Sequence, residues 1–120
     1  MSFNLKVCSF NVNGINDNIK RRAIFKKLRQ SPTTFWLLQE THSVVNDERV
    51  WQSEWGSKII FSHGASNSRG VAILFPNTDY ELLYTSSDIH GRYLMIRLKI
   101  HEIEYIIVNV YAPTRDHRKE

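Results

Sequence analysis

The stretch Phe35-Trp36-Leu37-Leu38-Gln39-Glu40-Thr41 indicates most about how this chain folds. Its apolar residues predict a buried β-strand, and that strand ends abruptly at a carboxylate. A glutamate at the surface end of a core strand costs stability unless a cation lies close to it. Because catalytic α/β folds place their chemistry at the carboxyl ends of strands, Glu40 is a candidate site residue.

The segments before this stretch predict a second strand in the same sheet. Residues 5–10 have the pattern of a strand, and residues 17–29 have that of a helix with Asp17 as its N-terminal cap. The predicted apolar stripe of the helix consists of Ile19, Ala23, Ile24 and Leu28. A strand, a helix and the strand at 34–39, within about 35 residues, form a βαβ unit whose strands are parallel.

Two asparagines follow the first predicted strand as Glu40 follows the second. They are Asn11 and Asn13. In a βαβ unit the carboxyl ends of the two parallel strands meet at one edge of the sheet, so the topology brings all three side chains to that edge. We therefore predict that they form a single metal-dependent site.

The rest of the chain predicts one short helix and a series of strands. The helix spans residues 47–55, and the strands lie at 58–62, 70–75, 80–85, 92–100 and 103–110. The last strand is almost continuously apolar, which is typical of a central position. A βαβ opening followed by strands with no closing layer indicates half of a larger sandwich. We expect an α/β fold with a mixed sheet, in a partial domain truncated after the strand that ends near Tyr111.

Length and composition narrow the class of protein. At 120 residues the chain is one domain by length, and it contains no run of about 18 apolar residues that would span a membrane. The N-terminus lacks the layout of a secretion signal. The lone Cys8, predicted to be a buried thiol, is typical of a reducing compartment. We therefore expect an intracellular protein, nuclear or cytoplasmic, without a membrane partner.

Basic residues are concentrated near the N-terminus. Residues 1–30 carry seven basic groups and one acid, whereas the net charge of the whole chain is +4. A local positive field of this kind attracts polyanions such as DNA. The alternative interpretation is a solvated helix face.

Four motifs occur in an order that resembles a known superfamily. They are Ser9-Phe10-Asn11-Val12-Asn13-Gly14-Ile15, Leu38-Gln39-Glu40-Thr41-His42, Arg69-Gly70-Val71-Ala72-Ile73-Leu74-Phe75 and Asn109-Val110-Tyr111-Ala112-Pro113. Together they resemble the endonuclease/exonuclease/phosphatase superfamily, and most of all the apurinic-type endonuclease domain of non-LTR (LINE-type) retrotransposon polyproteins. The resemblance covers residues 5–114 and the first half of that domain. It implies the N-terminal half of a four-layer, DNase I-like α/β sandwich and the hydrolysis of DNA phosphodiesters.

The resemblance also implies a metal site built on Glu40. Mg²⁺ prefers hard oxygen ligands, keeps several waters and is usually held by one or two carboxylates; Mn²⁺ is the alternative ion. Glu40 would be the principal ligand, unless it is a helix cap or an ordinary surface acid. Asn11 would hold Glu40 or a phosphate oxygen, unless it serves only a turn with Gly14. Asn13 stands where relatives often have an aspartate, which leaves an amide carbonyl as the second metal contact.

Four further residues take roles from the resemblance. Tyr111 would present its phenol to the scissile phosphate, unless it is simply a half-buried tyrosine at a strand end. Thr114 stands where many relatives carry an amide that contacts phosphate. Arg92 would lie near the substrate and His42 would touch the DNA backbone; the alternatives are a surface arginine at a turn and an exposed histidine.

The chain lacks groups that the resemblance assigns to catalysis. The second half of the related domain supplies an Asp-x-Asn pair and a terminal Asp-His pair, and no aspartate of this sequence begins an Asp-x-Asn. Such groups contribute orders of magnitude in rate, so we expect an endonuclease in the parent domain and no activity from this chain alone. A second chain or a C-terminal half would complete the sandwich. The alternatives are a phosphomonoester or phosphoinositide phosphatase of the same superfamily, and a non-catalytic nucleic-acid-binding or interaction fragment.

Overall fold

A computed structural model describes residues 5–64 and 69–112, which form two β-sheets and two α-helices. In chain order the elements are β1 (Lys6–Asn11), α1 (Asn18–Leu28), β2 (Thr34–Gln39), a 3₁₀ turn (Val45–Asp47), α2 (Glu48–Trp55), β3 (Ile59–Ser62), β4 (Val71–Leu74), β5 (Glu81–Ser87), β6 (Tyr93–Ile100) and β7 (Ile103–Val110). The predicted helices and strands are confirmed, and their bounds agree within two residues at each end.

The first sheet contains the predicted βαβ unit. Its strand order is β1-β2-β4-β3. β1 runs parallel to β2, and β4 is antiparallel to both of its neighbours, so the sheet is mixed, as predicted. Helix α1 makes the crossover between β1 and β2. It begins after Asp17, whose carboxylate accepts a hydrogen bond of 2.8 Å from the backbone N–H of Lys20.

The second sheet is an antiparallel meander in the order β5-β6-β7. The alternating pattern along β6 predicts one aliphatic face, and its residues Leu94, Ile96, Leu98 and Ile100 are indeed buried. His101 and Glu102 join β6 to β7 with φ angles of 50° and 67°. Two consecutive left-handed residues suit the right-handed twist of a hairpin.

The helices cover one face of the first sheet, and the second sheet covers the other. On the helical side, the rings of Phe25 and Trp55 meet edge to face with their centres 5.6 Å apart. Between the sheets, Phe35 and Phe75 meet in the same way at 5.3 Å. β2 is therefore packed on both faces, and Glu40, which follows its last residue, is partly exposed.

The buried face of α1 differs from the predicted stripe. Ile19 is 82% exposed and Ala23 is exposed, whereas Arg21, Phe25 and Leu28 are the buried residues of the helix. Arg21 is buried because it forms an ion pair, with its Nε 2.6 Å from Glu54 Oε1 of α2. The apolar residues that α1 packs against the core are Phe25, Leu28 and the partly buried Ile24.

The N-terminal basic cluster is partly used inside the fold. Besides Arg21, the side chain of Arg22 binds Glu54 at 3.1 Å, and Arg29 donates to the backbone carbonyl of Glu54 at 2.9 Å. Three of the seven basic groups therefore join α1 to α2. The positive surface that remains on this side is weaker than the sequence suggests.

The prediction of a buried thiol is wrong. Cys8 is exposed, because all six residues of the edge strand β1 are exposed and neither layer covers that strand. Among the described residues β7, whose apolar pattern is typical of a central strand, is also an edge strand, with Ile106 64% exposed and Val110 58% exposed. Within residues 5–64 and 69–112, no helix has both the length and the apolar character needed to cross a bilayer.

Candidate active site

The end of β2 is joined to the loop after β1 by backbone hydrogen bonds. The N–H groups of Val12, Gly14 and Ile15 donate to the carbonyls of residues 39, 40 and 41 at 3.0, 2.6 and 3.2 Å. Glu40 itself has a φ of 56°, which directs the chain sharply out of the sheet. These bonds fix Glu40 beside the asparagine loop, as the βαβ topology predicts.

Tyr111, which follows β7 of the second sheet, reaches the same place. Its phenol lies close enough to the carboxylate of Glu40 for the two groups to interact. Burial, followed by the interaction with the Glu40 carboxylate, raises the pKa of the Tyr111 phenol, and the positive charge of Arg69 opposes that rise. A carboxylate from one sheet and a phenol from the other therefore form one polar pair.

His42 lies on the other side of the carboxylate. Its Nε2 is 4.0 Å from Glu40 Oε1, and its side chain is 29% exposed. The imidazole packs directly over Gly14, where an added Cβ would lie 2.5 Å from His42 Nδ1. Glycine is required there for this close approach, and also because its φ is 79°. The backbone N–H of His42 donates to the carbonyl of Arg69 at 2.8 Å, which brings that arginine to the site.

Asn11, at the end of β1, and Asn13, in the loop that follows, form hydrogen bonds with nearby residues of their own segment. Asn11 Oδ1 accepts a hydrogen bond of 2.9 Å from the backbone N–H of Asn13, an arrangement typical of an Asx turn. Asn13 is exposed with a φ of 52°, and its backbone carbonyl accepts from Lys20 Nζ at 3.2 Å. The structure thus shows turn chemistry at Asn11, and both amides remain at the edge that carries Glu40.

The backbone of Arg92 is hydrogen-bonded to Tyr111 of the candidate site, whereas its side chain binds a different residue. Its carbonyl accepts a hydrogen bond of 2.7 Å from the N–H of Tyr111. Its side chain is 55% exposed and binds Asp88, with Nε and Oδ2 2.7 Å apart. The hydrogen bond from Arg92 is the main reason that the pKa of Asp88 falls to about 2. Thr114 lies outside the described residues.

A hydrogen-bonded chain of side chains supports the loop after β2. Ser43 Oγ lies 2.9 Å from Thr41 Oγ1 and 2.8 Å from His63 Nδ1, and His63 Nε2 lies 2.6 Å from Glu48 Oε2. Serine, histidine and glutamate in this order resemble a nucleophilic triad. However, Ser43 is 0% exposed, so no substrate reaches its hydroxyl. The chain holds the loop in place, and sequence reasoning assigned none of it.

Comparisons with known proteins agree with this fold. No protein-family model matches the chain. It is 34% identical over 111 residues to the Transposon TX1 uncharacterized 149 kDa protein of Xenopus laevis, a match that covers 92% of this chain and 8% of that protein. Its fold is similar to the crystal structure of truncated Caenorhabditis elegans TDP2, with a TM-score of 0.68, 20% sequence identity and 96% of this chain covered. The fold is endonuclease/exonuclease/phosphatase-like.

Both proteins extend well beyond the matched region. This chain spans 51% of the solved TDP2 chain and a small part of the transposon protein. The overall architecture, a mixed α/β sandwich with DNase I-like topology, is therefore as predicted.

The donor set at this edge fits a hard divalent cation. Among residues 5–64 and 69–112, no three His, Cys, Asp or Glu side chains are grouped as a chelating cluster. The site offers one partly exposed carboxylate, Glu40, with two amides in the neighbouring loop: that of Asn11, whose oxygen already accepts the N–H of Asn13, and that of the exposed Asn13. Such a set is too poor for structural zinc, which takes four nitrogen or sulfur ligands. It suits Mg²⁺, which keeps most of its waters and takes one or two carboxylates.

Two residues near the site were quoted in the sequence motifs but given no role. Arg69 brings positive charge to Tyr111, and Asn109 is buried at the join between the sheets. A sequence signal exists for Asn109, because an amide within an apolar strand needs hydrogen-bond partners when it is buried. No comparable signal marks Arg69, whose place depends on how the loop before β4 folds.

Proposed function

We propose that this chain supplies the metal-facing and phosphate-facing half of a Mg²⁺-dependent DNA endonuclease. The observation that carries the proposal is the proximity of Glu40, which follows β2, and Tyr111, which follows β7, so that the ends of two different sheets meet at one point. Three facts support it: the order of the four motifs, the similarity to a transposon protein, and the endonuclease/exonuclease/phosphatase-like fold.

Glu40 is the proposed metal ligand. Its single carboxylate would hold Mg²⁺, or Mn²⁺ in its place, and the amide oxygen of Asn13 would add a second contact through water. When bound, the cation withdraws charge from a phosphate oxygen and so makes the phosphorus easier to attack. Asn11, at the end of β1, would orient either Glu40 or a phosphate oxygen through its amide.

Tyr111 and the nearby cations are the proposed phosphate contacts. The Tyr111 phenol, whose pKa is raised, is protonated at neutral pH, and it would donate its one hydrogen bond to a non-bridging phosphate oxygen in place of the Glu40 carboxylate. Arg92, His42 and Thr114 would contact the DNA backbone. The guanidinium of Arg92 binds Asp88 through its Nε, and its side chain is 55% exposed, which leaves room for a phosphate to approach.

The proposed reaction needs groups that this sequence does not contain. No Asp-x-Asn occurs in it to position a water, so we propose that a C-terminal half or a second chain completes the domain. The open side of the sandwich supports this step. β1 and β7 are both edge strands, and they lie on the same side because β7 stacks against β2, the neighbour of β1. Unpaired strand edges of this kind favour pairing with further strands.

Salt-dependent DNA binding tests the phosphate contacts. We expect the affinity for a fluorescein-labelled duplex, measured by anisotropy, to fall linearly with the logarithm of salt concentration. Arg92→Ala should reduce that slope by about 1, since one phosphate contact is lost. The matched control is Arg49→Ala, which removes an exposed arginine from α2, away from the site. Binding that does not respond to salt, or equal effects of both variants, would count against DNA as the ligand.

Plasmid nicking tests whether this chain is catalytically incomplete on its own. With Mg²⁺ present, we expect neither the wild-type chain nor Glu40→Gln to nick supercoiled DNA. Nicking by the wild type that disappears in Glu40→Gln would show that the half-site is sufficient, and the proposed incompleteness would be wrong.

A competition experiment in the anisotropy assay addresses the phosphatase alternative. Displacement of the labelled duplex by a soluble inositol phosphate at equal phosphate concentration would favour that alternative.

A further inference from the structure

The side chain of Asn109 bridges the two sheets beside the site. It is 1% exposed, and its Nδ2 donates to the backbone carbonyls of Leu38 and Ala72 at 2.9 and 2.8 Å. Its Oδ1 accepts a hydrogen bond of 2.8 Å from Gln39 Nε2, which also lies 2.9 Å from Ser9 Oγ. One amide from β7 thereby binds two strands of the opposite sheet and, through Gln39, a third.

The orientation of this amide is determined by its surroundings. Backbone carbonyls can only accept, so the nitrogen of Asn109 must face Leu38 and Ala72, and its oxygen must face Gln39. The amide of Gln39 is then required to present its NH₂ group. Each bond therefore has one workable direction, and a shift of either sheet along the other would break more than one of them.

The bridge lies next to every element of the candidate site. Gln39 directly precedes Glu40, and Asn109 comes two residues before Tyr111, so that the side chains of Asn109 and Tyr111 leave the chain on the same side. Ser9 stands in the same relation to Asn11. The surrounding core consists of aliphatic and aromatic side chains, including Leu37, Ile73 and Ile107. Apolar packing of this kind resists separation of the sheets but sets their relative position only loosely.

We propose that Asn109 and Gln39 are positioning residues that fix the separation of Glu40 and Tyr111. They act through the backbone: Asn109 holds β7 against β2 and β4, and Gln39 sets the last residue of β2 before the carboxylate. The value of this positioning for catalysis rests on the proposed function. The positioning itself, in which the amides of Asn109 and Gln39 hold the Glu40 carboxylate and the Tyr111 phenol together, does not depend on metal, DNA or activity.

The test is the proton NOE between the Tyr111 ring and the Glu40 side chain in the isotopically labelled chain. We expect this cross-peak to be lost in Asn109→Leu, which keeps the size of the side chain and removes the amide. Gln39→Met serves as the second variant, because Gln39 is only half-buried and the variant keeps both bonds from Asn109 to the carbonyls. The chemical shifts of β5 and β6 report that each variant is folded.

Ile107→Ala is the matched control. Ile107 is 5% exposed and lies two residues before Asn109 on the same face of β7, so its truncation destabilises the same strand without touching an amide. We expect it to keep the cross-peak. Retention of the cross-peak in folded Gln39→Met, or its loss in Ile107→Ala as well, would overturn the positioning role. Because the NOE measurement requires neither metal nor DNA, it tests the positioning role separately from the proposed endonuclease function.

Discussion

Replacement of Arg21 by alanine offers the sharpest test of what holds the site loop in place. All five N–H donors of this buried guanidinium are used. Nε and Nη2 bind the two oxygens of Glu54 at 2.6 and 2.9 Å, Nη1 donates to the carbonyls of Ile15 and Asn16 at 3.1 Å, and Nη2 also donates to Asn18 Oδ1 at 2.6 Å. The bonds to Ile15 and Asn16 tie α1 to the loop that follows β1.

The expected loss of unfolding free energy in Arg21→Ala follows from the burial of the Arg21–Glu54 ion pair. Removing one partner of a buried ion pair costs about 3–5 kcal/mol, because the other charge is left uncompensated. We expect about 3 kcal/mol for Arg21→Ala, since the Glu54 side chain is 13% exposed and keeps its contact with Arg22 at 3.1 Å. The control is Arg22→Ala. Its side chain is 67% exposed, and exposed pairs contribute about 0–1 kcal/mol.

Urea unfolding followed by tryptophan fluorescence measures both values. At neutral pH the unfolding free energy of Arg21→Ala should fall well below that of Arg22→Ala. The hydrogen bond from Arg21 lowers the pKa of Glu54 below its ordinary value of 4.5. The stability linked to this carboxylate is therefore fully present above pH 4.5 and is lost as the pH falls through the folded-state pKa. The gap between wild type and Arg21→Ala should narrow in acid; a constant gap, or equal costs of the two variants, would refute the ion-pair argument.

The Asp88 carboxyl should titrate near pH 2 by carbon-detected NMR, and Arg92→Ala should return its pKa towards 3.8, because the guanidinium hydrogen bond is the main cause of the shift. An unchanged titration in the variant would contradict that cause. Gly14→Ala should destabilise the fold more than Gly56→Ala in urea unfolding. Both glycines have positive φ, but an added Cβ lies 2.5 Å from an imidazole nitrogen at the first position and in open space at the second, so equal costs would rule out the packing explanation. The Tyr111 hydroxyl should ionise above pH 10 in an ultraviolet difference titration against Tyr111→Phe, since burial and the neighbouring carboxylate disfavour the phenolate; ionisation at or below pH 10 would show that the pair with the carboxylate is not formed.

Local signals in the sequence predict much of this fold. Asp17 caps α1 and Gly56 ends α2 in a left-handed conformation, because both preferences depend on only a few neighbouring residues. The alternation along β6 likewise predicts its buried face. The burial of Arg21 was not predictable in this way, since it depends on an ion pair between Arg21 and Glu54, thirty-three residues apart.

Strand positions depend on neighbours that a strand's own sequence does not specify. Cys8 lies in a strand of ordinary core composition, yet the layers on either side of the first sheet do not cover the edge strand β1, so the thiol is exposed. The apolar pattern of β7 likewise does not determine whether the strand lies at the centre or at an edge of its sheet. A pattern typical of a central strand describes what the strand can bury, and not which strand lies beside it.

The candidate site was predictable to the extent that it depends on one βαβ unit. Parallel pairing of β1 with β2 places Asn11 next to Gln39 in register, and the asparagine loop next to Glu40 follows from it. The contact between Glu40 and Tyr111 arises differently. It requires the second sheet to stack on the first, and no pattern within either strand encodes that stacking. Only the order of the motifs pointed to it, through the resemblance.

The central claim is that Glu40 forms the metal half-site, and Mn²⁺ titration followed by paramagnetic broadening of amide signals tests it most directly. We predict broadening at residues 11–14, 39–42 and 110–112, with β5 unaffected. Glu40→Gln should abolish the effect, while Glu81→Gln, which removes an exposed carboxylate from β5, should leave it intact. Broadening that persists in Glu40→Gln, or that is centred elsewhere in the fold, would contradict the account.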